Sequence, residues 1–183
     1  MFSHLLKKNM RYKKIKLLFL LTAGFTANTF AQATATAKVT ATIIAPIAIS
    51  NALDINFGNV AVQAGAAGTS GTVVIAPTGT RTGTAGVNLP STTGTFTAAS
   101  FTIEGASEYT YVITIPSAGY IITKATTLET MTVSAFTSNP SSTGILNGGS
   151  ETLNIGATLN VAAGQVPGVY TNATGFDVTV NYN

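Results

Sequence analysis

Tyr109-Thr110-Tyr111-Val112-Ile113-Thr114-Ile115 is the stretch on which the fold turns. Its odd positions are aromatic or β-branched, and Thr stands at two of the three even ones. A period of two puts the odd side chains on one face of an extended strand and the even ones on the other. A helix would scatter them around its circumference. Aromatic and β-branched residues also fit a pleated, half-buried surface.

The same period recurs on both sides of this stretch. Toward the C-terminus, Met131, Val133 and Ala135 predict a short strand. Leu153, Ile155 and Ala157 predict another, continued by Leu159 and Val161. A turn at Gly164-Gln165-Val166-Pro167-Gly168 precedes Val169 and Tyr170. In the last strand Phe176, Val178, Val180 and Tyr182 face the core, and Asp177, Thr179 and Asn181 face out. Toward the N-terminus, Phe96, Phe101 and Ile103 lead to a stop at Gly105, and Val73-Val74-Ile75 reads as a buried strand closed by Pro77. Thr78-Gly79-Thr80-Arg81-Thr82-Gly83-Thr84-Ala85-Gly86 reads as a loop or loose hairpin. Leu53, Ile55 and Phe57 alternate up to Gly58-Asn59. No useful 3.6-residue apolar period appears. Eight to ten short strands at such spacing predict an all-β, antiparallel sandwich.

The longest alternation covers residues 33–49, with every odd position apolar. Its first half is Ala-rich and buries little; Ile43, Ile47 and Ile49 are expected to anchor the second half. Pro46 marks an edge or a break. Seventeen residues at ~3.3 Å each exceed what one sandwich strand needs. The excess suggests an inner strand from Ile43 onward and an N-terminal extension, residues 32–42. In that extension Ala35, Ala37, Val39 and Ala41 are candidate donor-strand positions for a neighbour's sheet edge. The alternative is that the extension folds back on its own sheet or stays loose.

Charge is distributed unevenly. Lys7, Lys8, Arg11, Lys13, Lys14 and Lys16 are six of the nine Lys and Arg residues. An apolar run, residues 17–25, follows, then Thr29-Phe30-Ala31 with small residues at −3 and −1 of a cut before Gln32. This pattern predicts a secretory signal peptide over residues 1–31, with Met1 or Met10 as start, and hence export to periplasm, cell surface or medium. The alternative is an uncut membrane anchor. The 152 residues that follow, 32–183, make one domain with three cations against six carboxylates, a net of −3. Three scattered cations give no footprint for nucleic acid or anionic lipid. No later apolar run reaches the ~20 residues of a membrane span. There is no cysteine, so neither a disulfide nor a lipid anchor on Cys is expected.

The only histidine is His4, inside the predicted signal. Without His or Cys, residues 32–183 hold no Ser-His-Asp triad, no Cys nucleophile and no zinc or haem site of the usual kind. A glycosidase carboxylate pair is the remaining enzymatic option. Its nearest candidates, Glu104 and Glu108, flank Gly105-Ala106-Ser107 and read as solvated residues of a hairpin turn. Asp54, Asn56 and Asn59 lack the carboxylate density of a calcium site. Asn172-Ala173-Thr174 matches a glycosylation sequon and reads as a loop. No catalytic residue, cofactor or metal is expected. Arg81 is the lone arginine after residue 31, suited to a carboxylate-bearing ligand, a partner subunit or a surface ion pair. Tyr109 and Tyr111 share a face and form a candidate sugar-stacking platform, or else half-buried sheet positions.

Several short motifs fall in a telling order: Leu53-Asp54-Ile55-Asn56-Phe57-Gly58-Asn59-Val60, Pro77-Thr78-Gly79-Thr80-Arg81, Leu159-Asn160-Val161, Pro167-Gly168-Val169-Tyr170 and Val178-Thr179-Val180-Asn181-Tyr182-Asn183. Their combination resembles the bacterial domain-of-unknown-function family 4402, small secreted all-β proteins without an established activity. A more distant likeness is to chaperone–usher pilins and spore-coat-U-type subunits. It implies an immunoglobulin-like sandwich completed by a neighbour's N-terminal strand, although many of those subunits carry a disulfide. The resulting expectation is a non-catalytic structural or surface-assembly domain that self-associates through its N-terminal strand. The alternative is an extracellular binding module, carbohydrate-binding or adhesin-like, using Arg81, Tyr109 and Tyr111.

Overall fold

A computed structural model describes residues 32–62, 68–84 and 86–183; the predicted signal peptide lies outside these. The chain divides into two units, Met1–Thr42 and Ile43–Asn183. In the first, residues 32–42 have no regular secondary structure and their side chains are exposed. Strand structure begins only at Ala48, so the expected inner strand from Ile43 is corrected. Ile43 is 97% exposed rather than an anchor. Ile44, Ile47 and Ile49 are instead half-buried, so the alternation changes phase at Pro46, which has no N–H to give a ladder.

The second unit is all-β. Its strands are β1 (Ala48–Leu53), β2 (Asn56–Phe57), β3 (Ala61–Val62), β4 (Gly71–Ile75), β5 (Arg81–Gly83), β6 (Val87–Asn88), β7 (Phe96–Thr97), β8 (Ala99–Glu104), β9 (Thr110–Thr114), β10 (Tyr120–Lys124), β11 (Thr130–Asn139), β12 (Thr143–Ile145), β13 (Ser150–Val161), β14 (Tyr170–Thr171) and β15 (Thr179–Tyr182). All pairings are antiparallel. The larger sheet runs β1-β8-β13-β11-β10-β14, with β4 on β13 and β5 on β4; the smaller runs β12-β9-β15. They face each other as a sandwich across one core.

β13 organises the larger sheet because its apolar alternation is the longest that is fully used. Leu153, Ile155, Ala157, Leu159 and Val161 all point inward and are buried. Along one edge, β13 pairs first with β8, to Ile155↔Ala99, and then with β4, from Ala157↔Ile75. Gly156 sits at the change of partner. A Cβ there would collide with the Ile75 carbonyl and lie 2.8 Å from the Ala76 and Pro77 backbone. Only a glycine lets the incoming chain approach so closely.

The smaller sheet contributes Tyr111, Ile113 and Val180 to the core, in the alternation expected from the sequence. Phe176, Val178 and Tyr182 pack against it, and Asp177, Thr179 and Asn181 are exposed. β11 departs from expectation. Ser134 pairs with Thr158 but Thr137 pairs with Gly156, so one extra residue is accommodated in β11. Ala135 takes up the bulge with φ +48° and is exposed. Phe136, not Ala135, therefore turns inward. There it meets Phe176 at 4.9 Å between ring centroids and Tyr120 at 5.9 Å. Burying a phenyl ring in place of a methyl is the driving force for the shift.

Candidate functional site

Arg81 opens β5, at half-buried depth, and its side chain crosses to the β2–β7 pair. Its Nη1 donates to the carbonyls of Phe57 (2.9 Å) and Thr93 (3.2 Å), and its Nη2 to the carbonyl of Asn59 (3.0 Å). The guanidinium also lies 5.0 Å from the Phe96 ring centroid. A planar fork of donors suits such a cluster of carbonyls, where an ammonium would satisfy fewer. Arg81 is thus a clamp holding three chain segments together, and it makes no ion pair among the described residues.

Tyr109 and Tyr111 are not brought together as a platform. Tyr109 is 45% exposed and stands edge-on to Tyr182 at 5.8 Å. Tyr111 is fully buried and presents no ring face to solvent. Its hydroxyl donates to Glu151 Oε2 at 2.7 Å, which also accepts from the Ile145 N–H at 3.0 Å. Glu151 occupies the first inward position of β13, so this bond links the two sheets. Burial first, and then the hydrogen bond to Glu151, push the Tyr111 phenol well above its ordinary range. Gly144, paired with Tyr111, leaves room for it: a Cβ there would strike the phenol ring.

The other candidates are placed plainly. Glu104 and Glu108 are exposed at the β8–β9 turn. Asn51 Nδ2 donates to Asp54 Oδ1, Gly58 N–H donates to Asn56 Oδ1, and Asn59 Nδ2 donates to the Thr92 carbonyl. Among the described residues no three His, Cys, Asp or Glu side chains gather to hold a metal. Asn172 Oδ1 accepts from the N–H groups of Thr174 and Gly175, a side-chain-capped turn. Of the donor-strand positions, Ala35, Ala37 and Ala41 are exposed and Val39 is 94% exposed. No helix among the described residues is long and apolar enough to cross a membrane.

One depression escaped the sequence reading. It has a volume of about 420 Å³ and lies where β4, β11 and the end of β13 meet. Thr72, Asn160 and Thr132 are neighbours across three strands there. Thr84 and Thr130 add hydroxyls and Gln165 a carboxamide, and among the described residues no ionisable side chain lines it. Asn160 Nδ2 donates to the Thr132 carbonyl (3.0 Å) and Ser134 Oγ (2.8 Å). Gln165 Nε2 donates to the Thr130 carbonyl (3.3 Å) and the Tyr170 hydroxyl (2.8 Å). The only local signal was Thr and Asn at outward positions of strands, a pattern shared by every solvated sheet face.

No curated protein and no solved structure matches this chain. The family model described as "Domain of unknown function (DUF4402)" matches residues 47–182, nearly the whole second unit. The motifs at both ends of that span, the β1-to-β2 segment and the closing β15 strand, are those on which the resemblance rested, and the chain belongs to the DUF4402 family.

Proposed function

We propose that this chain is an exported, non-catalytic structural domain that assembles through its N-terminal segment. The observation that carries the reading is the segment 33–41. It alternates Ala or Val with Thr or Lys, has no strand structure, and leaves Val39 exposed. β15 is the candidate acceptor edge, although the Tyr182 hydroxyl beside it already donates to the Ala45 carbonyl (2.9 Å). β15 ends the smaller sheet with β9 as its one ladder partner among the described residues. Asn183 N–H donates to the Thr110 carbonyl, so the backbone groups of Val180 and Tyr182 point away from β9. An added strand would find them unpaired. The absence of His and Cys after residue 4 supports a non-catalytic role, and the basic run before residue 17 supports export.

The test uses the secreted protein. N-terminal sequencing is expected to begin at Gln32; recovery of all 183 residues from the cytoplasm would overturn export. Light scattering is expected to show self-association, lost on deleting residues 33–41 with the melting temperature nearly unchanged. Side-chain burial of one Val and three Ala is small, so main-chain hydrogen bonds would supply much of the affinity. A deletion that unfolds a monomeric protein would place the segment in its own domain and refute assembly.

A further inference from the structure

We infer that the depression between β4, β11 and β13 binds a neutral polyhydroxylated ligand, a short uncharged glycan. This inference is independent of the assembly reading above, because it uses the opposite sheet and none of residues 32–42.

Three features carry it. First, both side-chain amides are oriented by the protein itself. Asn160 and Gln165 each spend their two N–H donors on protein acceptors. Their carbonyl oxygens Oδ1 and Oε1 have no hydrogen-bond partner among the described residues, so each of these two lining residues keeps an acceptor for a ligand. Sugar hydroxyls are the donors that such acceptors match. Secondly, the Thr130 and Thr132 hydroxyls rotate and can donate or accept in return. Thirdly, the lining contains no charged side chain among the described residues. A sulfated or uronic-acid ligand would shed water from its anion with no compensating cation, whereas a neutral sugar has no such cost. The volume of about 420 Å³ falls within the ~300–1,000 Å³ range of small-ligand sites and suits one or two sugar rings.

The experiment titrates isotope-labelled residues 32–183 with maltotriose, cellotriose, mannotriose and chitotriose, and with sulfated and uronate-bearing oligosaccharides. At least one neutral trisaccharide is expected to shift the amide signals of Thr130, Thr132, Asn160 and Gln165 saturably, and the anionic ones more weakly. Gln165→Leu and Thr132→Val each remove one polar group and are expected to weaken Kd about three- to tenfold, the effect of one neutral hydrogen bond. Thr143→Ala, on the smaller sheet, is expected to leave Kd unchanged. Silence toward all four neutral sugars, shifts centred elsewhere, or preference for the anionic ligands would each overturn the inference. The wild-type shift map decides the matter even where a variant fails to fold.

Discussion

An Arg81→Met chain keeps most of the apolar stem of the side chain and loses the guanidinium. Three carbonyls then lose a charged donor: Phe57, Asn59 and Thr93. A hydrogen bond from a charged group contributes ~1.5–3 kcal/mol when it is sheltered, and much less when water can take its place. Only the bond to Phe57 is part-buried; those to Thr93 and Asn59 are exposed. One sheltered bond, two weak ones and a ring contact of ~0.5–1 kcal/mol together give a loss of about 2–4 kcal/mol. For a domain of this size each kcal/mol moves the midpoint by ~2–4 °C, so calorimetry should show Tm falling by about 4–16 °C. Arg81→Lys should recover only a minor part, since one ammonium cannot serve three carbonyls in fixed directions. A methionine variant melting within ~2 °C of wild type would refute the clamp, because even the low end of the loss predicts twice that shift. Arg81 would then be free to serve a ligand or a partner subunit.

Further outcomes follow from the packing. Val180→Asp places an unpaired carboxylate in the core and should cost several kcal/mol, on the order of the whole stability of a domain, whereas the exposed Thr179→Asp should be tolerated; equal melts would show the faces of β15 reversed. Gly156→Ala sets a methyl against the Ile75–Pro77 backbone, which cannot swing aside, and should cost about 2–4 kcal/mol by urea unfolding; a neutral result would mean the β8-to-β4 handover is looser than described. At the β11 bulge the usual strand preference inverts: Ala135→Gly should be neutral or stabilising by up to ~1 kcal/mol, while Ala135→Val should destabilise, because φ is +48°. Tyr111 is raised in the folded state, so its protonated form favours folding. Its contribution is fully present below the unfolded value of ~10 and is lost as the pH rises above it. Urea midpoints between pH 8 and pH 11 should therefore fall more steeply for wild type than for Tyr111→Phe, and parallel curves would contradict the buried hydrogen bond.

The sequence by itself determined the strand class and much of the inside–outside assignment. Period-two alternation is local, and it survives folding wherever a ladder runs unbroken. The inward faces of β9, β13 and β15 were legible in this way, down to Tyr111, Leu153 and Val180. Glu104 and Glu108 at a turn, and Asn172 in a loop, were legible for the same local reason.

What only the tertiary structure decided depends on partners distant in sequence. The bulge at Ala135 exists because Phe136 gains a place among Phe176 and Tyr120, a choice no window around β11 contains. Pro46 announced a break, but that Ile47 and Ile49 pack on the core while Ile43 stays exposed depended on where β1 meets β8, from Ala48↔Glu104 onward. Arg81 looked like a surface cation because the carbonyls that claim it come from Phe57, Asn59 and Thr93, on segments that meet β5 only in the folded chain. The polar depression is the extreme case. Thr72, Thr132 and Asn160 are unremarkable outward residues on three separate strands. They become neighbours only because β13 pairs with β4 along one edge and with β11 along the other. Alternation says which way a side chain points, and pairing decides what it points beside.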